Sequence, residues 1–328
     1  MIEANQLYKT YSIVEKELGL KGSIKAFFHP KKKQIHAVQN ISLTVQKGEI
    51  VGYIGSNGSG KSTTIKMLTG VLYPDRGSVK INGLTPQKHR TAVNKQIGVL
   101  FGQKSHLRWD IPVLESFILH AKIYDVPDKV FEERLEQLIE LLQLGDFIHQ
   151  PVRNLSLGQR VRCEFAAIFI HQPAVVFLDE PTIGLDASVK ETIRSFIHFM
   201  NKEYQTTFLI TSHDMQDIES LCERIFIIDK GKKVYDDGSL TKLREKFSTV
   251  KTISFKTQTP IEELFQINGF RFEKIDSYHF NIHYQTDIYT NAQVINQIFE
   301  HYSIEDLAIK ELTIENIVKQ IYEEGLDE

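Results

Sequence analysis

A glycine-rich loop between two patterned runs constrains this chain more than any other feature. The loop follows Glu49–Ile54, which has the apolar composition of a buried strand, and it precedes Thr64–Leu68, which has the pattern of a helix. Its residues are Gly55, Ser56, Asn57, Gly58, Ser59, Gly60, Lys61, Ser62 and Thr63. In such a loop the glycines let backbone N–H groups turn toward a polyphosphate, the lysine reaches the β and γ phosphates, and a serine hydroxyl can bind Mg²⁺. The pattern therefore predicts a nucleotide-phosphate site.

Composition narrows the class of protein. A chain of 328 residues, 41% hydrophobic and 25% charged, is typical of a globular protein with about two domains. Its formal net charge of -3 provides no overall basic surface, so no nucleic-acid partner is expected. Cys163 and Cys222 have neither a disulfide-framework nor a metal-ligand spacing, which favours a reducing compartment. The sequence shows no targeting segment and no run of about 18 apolar residues, so we expect a cytoplasmic protein.

Alternating apolar strands and amphipathic helices predict an α/β fold with a mostly parallel, covered sheet. Between about residues 104 and 170 the apolar spacing is helical, most clearly in Leu114–Ala121 and Leu135–Leu142. Toward the end of the chain the composition changes, and short strand-like runs alternate with helices. We therefore predict a nucleotide-binding domain over residues 1–246 and a small C-terminal α+β accessory domain over residues 247–328, which carries no recognisable catalytic motif.

Residues 12–36 depart from a compact nucleotide-binding plan, and we interpret them as an insertion. They combine Ile24, Phe27 and Phe28 with a lysine cluster at residues 31–33. Aromatic side chains beside lysines could dock on an anionic membrane surface or on a partner. The alternative is a solvated insertion whose apolar residues cover the edge of the sheet.

Polar residues follow two apolar strands at their carboxyl ends, where ligands bind in open α/β sheets. Asp179 and Glu180 come after one strand, and His213 comes after the next. Asp179 is placed to hold a Mg²⁺ shell, and Glu180 to orient or deprotonate a water that attacks the γ phosphate. Taken alone, the carboxylates also fit an N-capping solvated pair, and His213 fits a buried structural histidine. A phosphate loop alone permits GTPases, kinases, helicases and many other ATPases.

The order of motifs along the chain resembles the ATP-binding subunit of ATP-binding-cassette (ABC) transporters. This resemblance covers roughly residues 1–246. The matching motifs are the Walker A loop at Gly55–Thr63, the Q-loop at Gln103, the signature at Leu155–Gln159, the Walker B strand with its glutamate at Val175–Glu180, the D-loop at Gly184–Asp186 and the H-loop at His213. The signature discriminates best, because a serine and a glycine at a helix start can present a hydroxyl and backbone N–H groups to a γ phosphate. In the family that phosphate is bound to the other subunit.

The resemblance implies a P-loop NTPase fold of the ABC cassette type, with a helical subdomain, and it implies ATP and Mg²⁺ as cofactors. It assigns catalysis to Glu180, assisted by His213 and Gln103, and metal binding to Ser62, Gln103 and Asp179. The residues that it assigns to nucleotide binding are Tyr11, the loop residues Gly55 to Thr63, Ser156, Gly158, Gln159 and Asp186. Tyr11 matches the aromatic residue that stacks on adenine, and Tyr8 is near enough to be the alternative.

Two departures from the family pattern indicate a subgroup. Ile183 stands where the family often has a small residue, and Gly102 stands where a proline often precedes the Q-loop glutamine. Together with the insertion and the stretch from Phe101 to Pro112, they resemble subunits that work with separate ABC-2-type export permeases. The implied function is an ATPase subunit that pairs with a second copy, sandwiches two ATP molecules and powers an integral membrane permease at the cytoplasmic face of the cell membrane.

The main alternative is a soluble ABC ATPase that acts on ribosomes or DNA. Such relatives usually carry two cassettes in one chain or a long coiled coil, whereas this chain has one cassette and no sustained heptads. A GTPase or small-molecule kinase has less support, because Asn94–Ile97 does not complete the N-K-x-D guanine motif. The transported substrate is not encoded here, because selectivity belongs to the permease.

The segment after Gln103 is the predicted coupling element. Leu107, Trp109 and Ile111 are apolar residues in what the sequence predicts to be a loop, which fits a contact surface for a permease. The alternative is that Trp109 packs beneath the helical subdomain.

Overall fold

The computed structural model describes residues 1–14, 32–102, 105–212, 214–236, 238–247, 250–261, 270–310 and 313–324. The chain divides into two compact units, Met1–Asp236 and Asp237–Glu328. Each unit has its own cluster of buried apolar side chains. In the described residues no helix has both the length and the apolar character needed to span a bilayer.

The first unit contains two sheets. Its strands are β1 (Ile2–Val14), β2 (Lys32–Val45), β3 (Ile50–Gly55), β4 (Arg76–Ile81), β5 (Ile97–Phe101), β6 (Val175–Asp179), β7 (Thr207–Thr211), β8 (Arg224–Asp229) and β9 (Lys232–Tyr235). The larger sheet has the order β5-β6-β7-β3-β8-β9, and its neighbouring strands are parallel except for β8 and β9. Strands β2-β1-β4 form a separate antiparallel sheet. The predicted, mostly parallel α/β sheet is therefore confirmed.

The parallel strands are apolar at successive positions because they are covered on both faces. All five residues of β7 are buried, as are the first five residues of β3. Because β5, β6, β7, β3 and β8 run in one direction, the segments that follow them emerge at the same edge of the sheet. The phosphate loop follows β3 at this edge, and Asp179 ends β6 there.

Helices occupy the connections between these strands. They are α1 (Lys61–Leu68), α2 (Arg90–Asn94), α3 (Val113–Ile123), α4 (Asp128–Leu142), α5 (Leu157–Phe169), α6 (Ala187–Tyr204) and α7 (Met215–Leu221). Helices α3 and α4 contact α5 and form the helical part that the apolar spacing predicted. Phe169 of α5 packs edge-on against Phe196 of α6 with ring centroids 4.9 Å apart, which ties the helical part to the rest of the unit.

The ends of the predicted insertion belong to the antiparallel sheet. Ser12 pairs with Gln34 and Ile13 pairs with Lys33, so the ladder between β1 and β2 continues through residues 12–14 and 32–36. These residues are strand because their backbone groups have partners across the hairpin, and the insertion is correspondingly shorter than predicted. Ile24, Phe27 and Phe28 lie outside the described residues, so both interpretations of their role stay predictions.

The second unit is an α+β domain with one antiparallel sheet. Its elements are α8 (Leu240–Phe247), β10 (Val250–Thr257), β11 (Phe270–Lys274), β12 (His279–Gln285), α9 (Asn291–His301), β13 (Ile304–Lys310) and α10 (Ile314–Glu324). The sheet order is β11-β12-β10-β13. Alternate residues of β10 and β12, among them Phe255 and Phe280, are buried against Val294 and Ile298 of α9.

The boundary between the units lies before α8. The composition change near residue 246 coincides with the end of this helix, whereas the structure assigns the whole helix to the second unit. The physical reason is packing, because Leu243 is fully buried and α8 contacts α10.

Candidate nucleotide site at the phosphate loop

The phosphate loop turns where β3 meets α1, and Gly60 combines a left-handed backbone with a close neighbour in this turn. Its φ angle is 105°, in the left-handed region, and a Cβ atom there would lie 2.3 Å from the carbonyl oxygen of Ala37 on β2. Gly58 also has a positive φ, 81°, but a Cβ atom there would meet nothing within 4 Å. Glycine is therefore required at position 60 by both conformation and space, and at position 58 by conformation alone.

Lys61 is the buried cation of the loop. Its side chain lies inside the turn, with the residue only 6% exposed, and its Nζ donates to the carbonyl oxygens of Gly55 at 2.6 Å and Ser56 at 3.2 Å. Burial lowers the pKa of the ammonium group, and the nearby Glu180 and Asp179 carboxylates oppose this shift. A polyphosphate in the loop would give the ammonium group anionic acceptors, which bind it more strongly than neutral carbonyls.

Ser59 fixes the loop to the rest of the unit. Its N–H donates to the Ser56 carbonyl at 3.1 Å, and its own carbonyl accepts from the N–H of Gly231 at 2.9 Å. The Ser59 hydroxyl is buried and has no hydrogen-bond partner among the described residues. A backbone hydrogen bond thus joins the loop to the β8–β9 turn.

Two carboxylates stand beside the loop at the end of β6. The Oδ1 atom of Asp179 accepts from the Thr211 hydroxyl of the adjacent strand β7 at 2.7 Å. Glu180 has a φ of 54°, an unusual value for a residue with a side chain, and its N–H donates to the Thr211 carbonyl and hydroxyl oxygens, each at 3.1 Å. Such a conformation costs about 1–3 kcal/mol and persists where the surrounding contacts enforce it. Thr211 therefore holds the carboxylate of Asp179 and the backbone of Glu180.

These groups line two adjoining clefts. One, of about 370 Å³, is lined by Ser62, Lys66, Val71, Phe101, Gly102, Asp179, Glu180 and Ile183. The other, of about 200 Å³, is lined by Ala37, Asn57, Gly58, Gly60, Lys61, Ser62, Thr63 and Glu180. Ser62 and Glu180 line both, so the loop and the carboxylates face one continuous space.

The donor set fits Mg²⁺ bound together with phosphates. The Ser62 hydroxyl and the Asp179 carboxylate face the same cleft. Mg²⁺ keeps several waters and uses only one or two protein ligands when it binds with phosphates. The described residues contain no cluster of three or more His, Cys, Asp or Glu suited to a metal ion. Gln103 and His213, which the sequence also assigned to this site, lie outside the described residues.

The signature residues form a helix start on the outside of the chain. Ser156 caps α5 by accepting from the Gln159 N–H at 3.2 Å, and the Gln159 side chain accepts from the Ser156 N–H at 2.9 Å. Ser156 and Leu157 are exposed, and no signature residue lines either cleft beside the phosphate loop. A Cβ atom on Gly158 would lie 2.9 Å from Val189 of α6, so this glycine permits close packing of the two helices.

Asp186 and Tyr11 were also assigned to nucleotide binding. Asp186 is the exposed N-cap of α6, and its Oδ1 atom accepts from the Val189 N–H at 2.9 Å. It does not line the clefts that the phosphate loop forms. Tyr11 is exposed on β1 opposite Ile35, whereas Tyr8 is half-buried in the pairing with β4. Tyr11 is thus the more available of the two tyrosines for a base.

The sequence patterns did not single out Glu164, although this residue contacts the loop that follows Gln103. This α5 residue is 6% exposed, and its carboxylate accepts from the Ser105 hydroxyl and, at 2.8 Å, from the His106 N–H. The sequence pattern that could have identified Glu164 is an acidic residue among the apolar residues of α5. Glu164 thereby links the signature helix directly to the segment after β5.

Comparisons with known proteins agree with this arrangement. A family model described as ABC transporter matches residues 38–183. ABC transporter ATP-binding protein NatA of Bacillus subtilis is 34% identical over 66% of this chain and 88% of its own length. Methionine import ATP-binding protein MetN 2 of Enterococcus faecalis is 31% identical over 69% of this chain and 66% of its own length. An ATP-binding cassette solved as a dimer in a post-hydrolysis state with ADP and Pi matches with a TM-score of 0.61 over 73% of this chain and 98% of that one, at 23% identity, which shows a shared fold.

The two loop glycines provide a matched pair of variants. We expect Gly60→Ala to destabilise the first unit by ~3 kcal/mol or more and to abolish nucleotide binding, because its methyl group would overlap a backbone oxygen that cannot move aside. Gly58→Ala should cost only ~1 kcal/mol, because conformation alone opposes it. Chemical denaturation and calorimetric ATP titration measure both effects. Equal losses in the two variants would contradict the close approach to Ala37.

Removal of the Glu164 carboxylate should loosen the segment after β5. We expect Glu164→Ala to lower the free energy of unfolding by ~1–3 kcal/mol, because the His106 N–H would lose its acceptor and the Ser105 hydroxyl would keep only the Leu107 carbonyl, at 3.3 Å. ATP turnover should fall while ATP affinity changes little, since Glu164 lies outside both clefts. Glu132→Ala on the exposed face of α4 is the control and should change stability by less than ~0.5 kcal/mol. Indistinguishable behaviour of the two variants would show that Glu164 does not hold the loop.

Proposed function

This chain belongs to the ABC transporter family as an ATP-binding, ATP-hydrolysing subunit, and from that premise we propose that two copies close around two ATP molecules to drive a separate membrane permease. One observation carries the proposal. The phosphate loop and the carboxylates share one space, whereas the signature helix start is exposed and lines neither cleft. Each copy would thus supply half of two composite sites.

The exposed start of α5 suits an anionic group from another copy. Unpaired backbone N–H groups and the partial positive charge of a helix N-terminus favour a phosphate. Gly158 lets this helix start pack closely against Val189 of α6. Asp186, at the start of the neighbouring helix α6, is exposed as well. The γ phosphate bound at the loop of one copy would then contact the signature of the other.

The residues of one copy divide the chemistry between them. Lys61 binds phosphate oxygens, and Ser62 and Asp179 would hold Mg²⁺, which supplies charge neutralisation when it is bound. Glu180 orients a water and accepts its proton. Thr211 keeps the Asp179 carboxylate and the backbone of Glu180 in place. Gln103 and His213 are proposed to complete the site on the basis of the sequence.

The segment that displays Trp109 is proposed as the contact for the permease. Its backbone is fixed, because the Trp109 carbonyl accepts from the Arg153 N–H at 3.0 Å and the Ile111 carbonyl accepts from the Val152 N–H at 3.2 Å. The indole itself is 54% exposed, with the Arg160 guanidinium 6.0 Å from the ring, so the alternative that Trp109 packs beneath the helical subdomain is wrong. A rigid backbone that exposes a large aromatic ring is typical of a docking site.

We propose export as the direction of transport, with the subunit held at the cytoplasmic face of the membrane by its permease. Gly102 and Ile183, which depart from the common family pattern, support the ABC-2-type subgroup. A relative named for methionine import shows that the wider family includes importers. Reconstitution with the permease in vesicles, with ATP supplied on one side only, tests the direction.

Glu180→Gln should trap the ATP-bound pair. The amide keeps the shape of the side chain but cannot accept a proton, so hydrolysis should fall to ~1% of the wild-type rate or less, a loss of ~2.7 kcal/mol or more in transition-state stabilisation. Light scattering with ATP should then report a dimer. Lys61→Ala is the control and should neither bind ATP nor dimerise with it. Near-normal turnover by the Glu180→Gln variant would rule out Glu180 as the base.

Trp109 is the only tryptophan, which makes its fluorescence a specific report on the proposed permease contact. In the isolated subunit we expect red-shifted emission that acrylamide quenches, because the ring is more than half exposed. In a complex with the permease that copurifies with a tagged chain, the emission should shift to the blue and be protected from acrylamide. Unchanged emission and quenching in that complex would place the contact elsewhere.

A further inference from the structure

Strand β13 is an edge strand of the second unit. The sheet order ends β10-β13, and the described residues place no strand beyond β13. Residues 306–310 pair with β10 in an unbroken register, and the register shift of this ladder lies before them. An edge strand normally carries a protective feature such as a bulge, a proline or an inward-pointing charge. Residues 306–310 contain no proline, and their charged residues lie on the polar face of the sheet.

Backbone hydrogen bonds show which groups point outward from this edge. The N–H of Thr257 donates to Tyr278, on the β12 side, at 3.0 Å, and the N–H of the next residue, Gln258, donates to Ser303, on the β13 side, at 2.9 Å. The direction of the backbone N–H and C=O groups alternates from one residue to the next along a strand. The backbone groups of Ile253 and Phe255 therefore point toward β12, like those of Thr257. Their partners across the ladder, Leu307 and Ile309, consequently direct their backbone groups away from β10.

Apolar and charged side chains at this edge are exposed. Ile309 is 42% exposed although it lies opposite the fully buried Ile253, on the apolar face of the sheet. The Leu307 N–H donates to the side chain of its own neighbour, Asp306, at 2.9 Å. Lys310 is exposed, and its ammonium group forms no ion pair with a described residue. The edge thus offers apolar surface, backbone acceptors and a charge of each sign, while Asp306 of the same copy holds the Leu307 N–H.

The sequence of β13 is complementary to itself when two copies run antiparallel. With the two Ala308 residues opposite each other, Leu307 of each copy faces Ile309 of the other. Once the Asp306 carboxylate releases the Leu307 N–H of its own chain and turns to the other copy, the outward backbone groups of these two residues can exchange four hydrogen bonds in all. In the same register Asp306 of each copy faces Lys310 of the other, giving two cross-strand ion pairs. A shift of one residue would place outward groups opposite inward ones and remove this pairing.

We propose that β13 pairs antiparallel with β13 of a second copy, centred on Ala308, and joins two four-stranded sheets into one. This contact needs no nucleotide and uses no residue of the phosphate loop or signature, so it goes beyond the ATP-dependent pair. A contact of one strand per copy is small compared with standard interfaces, so association at ~10–100 µM chain is expected. Its role is to keep two subunits together between rounds of ATP binding.

Disulfide trapping tests the register in the full chain. In the proposed pairing the Cα atoms at position 308 lie ~4.5 Å apart, within the range for a disulfide. The two residues at position 305 would lie ~20 Å apart along the strands, so Glu305→Cys is the control. The native Cys163 and Cys222 are buried and do not compete. Without nucleotide, with EDTA and a mild oxidant, Ala308→Cys should become a covalent dimer on a non-reducing gel, and Glu305→Cys should not.

Charge reversal tests the same contact by a second route. Asp306→Lys and Lys310→Glu each put like charges at both ion pairs, so each variant should be monomeric by analytical ultracentrifugation at ~50 µM without nucleotide. A mixture of the two variants restores opposite charges at both pairs and should form a heterodimer. Both variants should retain wild-type ATP affinity, which separates this result from failure of the nucleotide site.

The proposal is overturned by any of three results. These are a folded Ala308→Cys variant that does not cross-link, equal cross-linking at positions 305 and 308, and single charge variants that dimerise as the wild type does. A wild-type chain that is monomeric without nucleotide at ~50 µM, while Glu180→Gln still dimerises with ATP, would show that β13 is a protected edge and that only the cassettes associate.

Discussion

The common direction of five strands is the constraint on which the rest of the structure depends. Because β5, β6, β7, β3 and β8 are parallel, the segments that leave them emerge at one edge of the sheet. The phosphate loop and the two carboxylates are far apart in sequence, and the parallel strands bring them to this common edge. Polar groups can gather at this edge because the strands behind it are filled with apolar side chains, which need no partners of their own.

Electrostatic balance at this edge depends on Lys61. A buried ammonium group is unfavourable alone, which is why its pKa is lowered, and two loop carbonyls with the charges of Asp179 and Glu180 compensate for its burial. Thr211 of the adjacent strand holds the Asp179 carboxylate and the backbone N–H of Glu180. The cation, the anions and the space between them are therefore set by the backbone, so that a polyphosphate and a metal ion would enter a site already arranged for their charges.

The proposed associations of this chain rest on different physics. The cassette contact is polar and depends on a phosphate shared between a loop and a helix start, so it forms and breaks with ATP. The β13 contact uses backbone hydrogen bonds, two apolar side chains and two ion pairs, all present in the chain itself. A transporter subunit with both would change the arrangement of its cassettes during the cycle without dissociating. Glu164 adds an internal connection, because it ties the signature helix to the segment beside the proposed permease contact.

Local patterns in the sequence were sufficient for the phosphate loop, the alternation of strands and helices, the α+β character of the second unit and the helix start at Ser156. Each depends on neighbouring residues, because turn conformation, periodicity and caps are decided within a few positions. Only the tertiary structure showed that the Glu164 carboxylate accepts hydrogen bonds from a loop far away in sequence. It alone also showed that Trp109 is exposed and that α8 belongs to the second unit. The open edge of β13 was likewise invisible in the sequence, since strand order decides which strand is last. Such features depend on which distant segments become neighbours, and one strand's own residues do not specify its neighbours.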